Sequence, residues 1–269
     1  MGTSSYESGV SSCEFRILGT RVHPIEMEDV LDHMEGWVRS PERGRFIVAS
    51  GMHGLMEAHR DPRVWTILNR ADLYVVDGFS LLWLARHRGF RLRQRVCGAD
   101  LLMAFCARAS REGYRVFFYG DTEAVLSRLC ERLANDYPGL RVAGTYAPPF
   151  RPMTQEEDEE VVRLITLAAP DVIWVGLGLP KQESWIIEHR DRLDVPVFVG
   201  VGAAFKFVGG TVRRAPRWVG EHGLEWIWRF VHEPRRLWRR ALLDVPTFLW
   251  LVFLEGLGVL NTHRADRAA

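Results

Sequence analysis

Apolar residues recur along this chain in two alternating rhythms. Short apolar runs within Arg45–Ser50, Leu73–Val76, Arg115–Tyr119, Val142–Thr145, Val172–Val175 and Val195–Val199 have the length and composition of buried strands. Between them the spacing changes to that of helices. Met27–Val38 sets Val30, Leu31, Met34, Trp37 and Val38 on one face, and similar patterns predict helices over Ala99–Ser110, Thr122–Asp136, Gln155–Ala168 and Lys181–Leu193. This alternation predicts an α/β fold, a parallel sheet with helices on both faces. Ligands in such sheets bind beyond the carboxyl ends of the strands. The candidate strands finish at Ser50, Asp77, Gly120, Gly176 and Gly200, several of which could take part in chemistry.

The segment Asp171–Trp185 is the most informative in the chain. Four apolar residues end in Gly176 and Gly178, and Pro180 then stands where a helix start tolerates a missing N–H. A strand, a glycine turn and a helix N-terminus together aim backbone N–H groups at one point, which suits a diphosphate. Lys181 adds a charge there and Gln182 an amide donor. An ordinary strand-to-helix turn would carry the same glycines.

Composition narrows the classes. A chain of 269 residues can bury a large core, and a net charge of +1 argues against a general nucleic-acid binder. The acidic run Glu156–Glu160 reads as a solvated helix start. Cys13, Cys97, Cys106 and Cys130 show no metal-ligand spacing and read as reduced thiols of a cytosolic protein. Residues 1–13 lack the pattern of a signal peptide and are expected to form a disordered tail. The last quarter differs from the rest. Arg and Trp interleave over Leu224–Arg240, ahead of the apolar run Val245–Leu254, which is too short to span a bilayer. That combination suits a helix lying in a membrane interface; a helix docked on the body with its Trp residues in the core is the alternative.

Several blocks together carry a resemblance. They are Ala71–Gly78, Arg95–Leu101, Val116–Gly120, Tyr137–Leu140, Gly176–Glu183, Gly200–Phe205, Arg214–Pro216, and Glu225-Trp226 with Arg229 and Glu233–Arg236. In this order the chain resembles the WecG/TagA/CpsF family of bacterial glycosyltransferases over about residues 15–240. The resemblance implies inverting transfer of a sugar from a nucleotide-sugar, usually a UDP-sugar, to a polyprenyl-pyrophosphate-linked saccharide, with no metal or other cofactor. It implies a Rossmann-like core, taken as residues 14–209, and a helical C-terminal appendage, 210–269, that completes the site and helps hold the protein at the cytoplasmic face of the membrane. Two departures stand out. The family often has Thr-x-Asn where this chain has Ser50-Gly51-Met52, and Phe-Asp-Phe where it has Phe205-Lys206-Phe207.

Inverting transfer needs a base for the acceptor hydroxyl and positive groups for the departing diphosphate. Asp77, at the end of an apolar strand, is the candidate base, and Gly78 leaves room beside it; capping the helix that starts near Phe79 is its structural alternative. Lys181, Gln182 and the Gly176–Gly178 turn, assisted by Arg95, are the expected diphosphate contacts. The family resemblance implies that Arg229, Arg236 and Arg239 also reach the site, and lipid headgroups are their other possible partners. Ser50 offers a hydroxyl to substrate, and Lys206 loosely favours an acidic group on the sugar. No Asp-x-Asp is present for a divalent ion, and His53, His59 and His87 read as surface or packed residues. A sugar-nucleotide oxidoreductase using NAD fits poorly, because Lys181 stands at the third glycine of G-x-G-x-x-G. A non-catalytic, membrane-attached assembly protein is a further alternative and would need no base. Neither the sugar nor the oligomeric state is readable from the chain.

Overall fold

The structure, a computed structural model, describes residues 14–212 and 240–260, with single positions 215, 219 and 228 between them. The 1–13 tail and Arg229, Arg236 and Arg239 lie outside the described residues.

A six-stranded parallel sheet forms the centre. Its strands are β3 (Arg45–Ser50), β4 (Leu73–Val76), β5 (Arg115–Gly120), β6 (Arg141–Tyr146), β7 (Val172–Gly176) and β8 (Val197–Gly200), in the spatial order β4-β3-β8-β7-β5-β6. The core strands are apolar and buried on both faces because helices cover both. The helices Met52–Arg60, Pro62–Asn69, Gln155–Ala168 and Lys181–His189 pack with one core cluster, around Tyr74, Tyr119 and Phe198. Met27–Arg39, Gly98–Glu112, Glu123–Asp136 and the short Ala204–Val208 pack with the other, around Phe105, Phe118 and Trp174.

β8 begins two residues later than expected, after Pro196, which has no N–H to give the ladder. Two strands that the pattern did not predict, β1 (Phe15–Ile17) and β2 (Thr20–Val22), form a small antiparallel pair. It is joined to β4 through His23, whose backbone N–H donates to the Tyr74 carbonyl at 2.8 Å, while its Nδ1 accepts from the Tyr74 N–H at 2.9 Å.

β3 and β8 are neighbours, but the helix after β3 lies over the first cluster and the one after β8 over the second. Their carboxyl ends therefore diverge and open a crevice. A π-helical turn, Arg240–Asp244, leads into the helix Val245–Gly256, which borders this crevice. Phe248 is its buried anchor. Asp244, buried at one end, pairs with Arg60. At the other end Glu255 accepts from the Leu18 N–H at 2.8 Å and pairs with Arg88 at 3.0 Å. Among the described residues no helix is long and apolar enough to cross a membrane.

Candidate active site

The crevice holds a cavity of about 1200 Å³. That exceeds the ~300–1,000 Å³ usual for a single small ligand. Its floor is built from strand ends: Ser50 at the end of β3 with Gly51, Asp77 and Gly78 after β4, Leu177–Leu179 after β7 and Val201–Ala203 after β8. Arg95 and Cys97 close one side. The opposite wall is apolar, formed by Phe79 and Trp83 of the helix Phe79–His87 and by Phe248, Leu249, Val252 and Phe253 of the C-terminal helix.

Asp77 and Ser50 meet because β3 and β4 are parallel neighbours in register, with Ser50 opposite Val76. The backbone turns away sharply after Asp77 at Gly78, whose φ of 106° favours glycine. Gly78, not Asp77, holds the N-cap position of Phe79–His87. Gly51 is required for the close approach of the two loops, since a Cβ there would lie 2.5 Å from the Asp77 carbonyl oxygen. Asp77 is half-buried and lines the cavity; among the described residues it is the one carboxylate that does so. Beneath it, the fully buried Tyr74 hydroxyl donates to the Gly51 carbonyl at 3.3 Å and bonds the Ser50 side chain, and burial pushes its pKa up.

The glycine turn after β7 differs from the expected cradle. Pro180 takes the N-cap position, and the helix begins at Lys181 as its pattern predicts but ends at His189 rather than Leu193. Gly178 lines the cavity, but its N–H is not open to a ligand: it donates to Gln182 Oε1 at 3.1 Å. The same oxygen accepts from the Gly202 N–H at 2.8 Å. Gln182 is buried with its Nε2 donating to Glu183 Oε1 at 2.7 Å, so its amide is committed to protein groups although the residue borders the cavity. Lys181 is exposed and outside the cavity lining. Gly176 is buried below the floor, where a Cβ would meet the Phe205 ring at 2.6 Å.

Lys206 also lies outside the lining, with Nζ 3.7 Å from Asp121, a carboxylate only 6% exposed at the end of β5. Its charge is turned to that partner rather than to the cavity. Conversely, His53 and His87 belong to the cavity wall, His87 stacked on Trp83 with ring centroids 5.3 Å apart. Arg88 is a cavity residue the motifs did not single out. No group of His, Cys, Asp and Glu suited to a metal ion occurs among the described residues.

Comparison with known proteins matches residues 15–261 to the Glycosyl transferase WecG/TagA/CpsF family. Three relatives share the name N-acetylglucosaminyldiphosphoundecaprenol N-acetyl-beta-D-mannosaminyltransferase. The protein of Bacillus spizizenii is 32% identical, over 88% of this chain and 90% of its own. That of Bacillus subtilis is 27% identical, over 84% and 85%. That of Staphylococcus aureus strain MW2 is 30% identical, over 91% and 94%. With the parallel sheet, the strand-end cavity and a match over nearly its whole length, the chain belongs to the WecG/TagA/CpsF family and is a glycosyltransferase.

Proposed function

We propose that this enzyme moves a sugar from a nucleotide-sugar, of the UDP class, onto a saccharide carried by a polyprenyl diphosphate, with inversion and without a metal ion. The observation that carries this reading is the composition of one cavity: among the described residues that line it Asp77 is the one carboxylate, at the strand-end floor and facing a wall of aromatic and aliphatic side chains. Direct displacement at the anomeric carbon uses one base, whereas a retaining route through a covalent intermediate uses a second carboxylate as nucleophile. Asp77 fits the single base, taking the proton of the acceptor hydroxyl as that oxygen attacks. The bond from the anomeric carbon to the diphosphate oxygen then breaks, and the electron pair leaves with the nucleotide. Ser50, beside Asp77, orients a substrate hydroxyl.

A cavity larger than one ligand needs suits two substrates bound together. The relatives named above act, by name, on a diphosphoundecaprenol-linked sugar. An apolar chain of that kind would cover Phe79 and Trp83, which are 38% and 53% exposed. Covering such rings is favourable at roughly 25 cal/mol per Å². Arg95 is the cation placed to meet the departing diphosphate, and the appendage arginines Arg229, Arg236 and Arg239 are proposed to join it. The core at 14–209 thus carries donor and base, and the appendage at 210–269 meets the acceptor at the cytoplasmic membrane face.

The test is transfer in the presence of EDTA from UDP-N-acetylmannosamine, and from other UDP- and GDP-sugars, to N-acetylglucosaminyl-diphospholipid. A β-linked product formed at the same rate with and without chelator is expected. A strict requirement for Mg²⁺ or Mn²⁺, or retention at the anomeric centre, would contradict the reading.

A further inference from the structure

Glu183 is fully buried on the inner face of the helix Lys181–His189, yet no motif reading gave it a role. We propose that Glu183 is a positioning residue: its carboxylate orients the Gln182 amide, whose oxygen ties the loop after β7 to the loop after β8 and so sets one side of the cavity. This rests on the transfer reading above for its functional consequence, though not for its geometry.

An amide has a nitrogen end and an oxygen end, and only the surrounding donors and acceptors decide which way it faces. Gly178 and Gly202 both present N–H groups to Gln182, so its oxygen must face them. The NH₂ group then points inward, where an acceptor is needed, and Glu183 Oε1 supplies it at 2.7 Å. Gly200 makes the space: a Cβ there would lie 2.9 Å from Gln182 Nε2 and 3.4 Å from Glu183 Oε1.

Among the described residues no cation pairs with Glu183, and none gives its Oε2 a hydrogen bond. Burial accordingly pushes its pKa up to about 7. A buried acid without an ion pair is a poor way to stabilise a fold, and an apolar residue of similar volume would serve packing better. Its geometry suits fixing the amide instead. The titratable group facing Glu183 from the sheet is Tyr74 of β4, which in turn senses Asp77. From β8 the approach is backbone at Gly200.

The experiment compares full-length wild type with Glu183→Gln and Glu183→Leu. It records kcat and KM over pH 5.5–8.5 and hydrogen exchange at the Gly178 and Gly202 amides. Gln keeps an acceptor of the same shape; Leu removes it. Glu183→Leu is expected to lose at least tenfold in kcat with little change in KM, and to lose protection at both glycine amides. Glu183→Gln should retain protection and most of the turnover, while lacking the inflection near pH 7 expected in the wild-type profile from its raised pKa. Glu183→Leu with wild-type kcat and protected amides would overturn the proposal, and so would persistence of that inflection in Glu183→Gln should the Leu variant not fold. A wild type that transfers no sugar, with both amides deprotected in Glu183→Leu, would contradict the transfer reading and leave the positioning role supported.

Discussion

Close backbone approach decides what the cavity floor can do. Gly51 and Gly78 let the loops after β3 and β4 touch, which brings Ser50 and Asp77 together. An added methyl at Gly51 would push on the Asp77 carbonyl from 2.5 Å away. Gly51→Ala should therefore lower kcat at least tenfold while costing about 1–3 kcal/mol of stability, the usual range for overpacking; chemical denaturation and steady-state kinetics check both. Glu183 gives a second prediction at this scale. Its pKa rises from an ordinary 4.5 to about 7 on folding, so between these values the folded chain holds a proton that the unfolded chain has released. Stability then falls as pH rises through that window, by about 3 kcal/mol once both states are ionised. Replacing Glu183 by Gln should raise Tm at pH 8 and raise it much less at pH 5, as differential scanning fluorimetry would show. The sequence made Asp77 legible as a strand-end acid. It could not show that Gln182 turns inward, because an amide's direction depends on Gly202, a loop distant in sequence, and on a neighbour that reads only as acidic.

Elements were legible in proportion to their length and period. β3 and β4 have the expected bounds, because uninterrupted apolar runs between polar ends leave few other readings. Met52–Arg60 and Pro62–Asn69 escaped the pattern, being short helices separated by Asp61, which caps the second through the Arg63 N–H. The hairpin of β1 and β2 escaped it too, as strands of three residues carry almost no period. The helix Val245–Gly256 packs on the body, but its Trp250 is 59% exposed rather than in the core. It docks through Phe248, while Leu249, Phe253 and Leu257, at spacings of four, leave 57%, 55% and 60% of their surface exposed. Phe248→Ala should cost roughly 3 kcal/mol or more in docking that helix, the range for truncating a buried aromatic ring. Faster hydrogen exchange across 245–256, with the central sheet unaffected, is the expected signature.

For the molecule as a whole, the parallel sheet and its helical layers place every polar floor residue at one end, and the apolar face of the C-terminal helix continues outward from it. Trp250 and Phe253 stack with centroids 5.8 Å apart on that helix, exposed at 59% and 55%. A shallow seat in the membrane interface would cover them and present the cavity mouth to a lipid-linked acceptor. Changing both to Glu should weaken sedimentation with anionic vesicles at least tenfold and leave UDP affinity unchanged; undiminished vesicle binding would place the membrane contact elsewhere. Arginine-mediated attraction should also weaken with salt, whereas the apolar part should not.

The central claim is that Asp77, at the cavity floor, takes a proton from the acceptor. The most direct measurement is single-turnover transfer by Asp77→Asn, alongside UDP binding and a melting curve for the same variant. Native-like folding and UDP affinity with transfer slowed by about 10²–10⁴-fold, the usual contribution of a general base, is the predicted result. Transfer at the wild-type rate by that variant would contradict it.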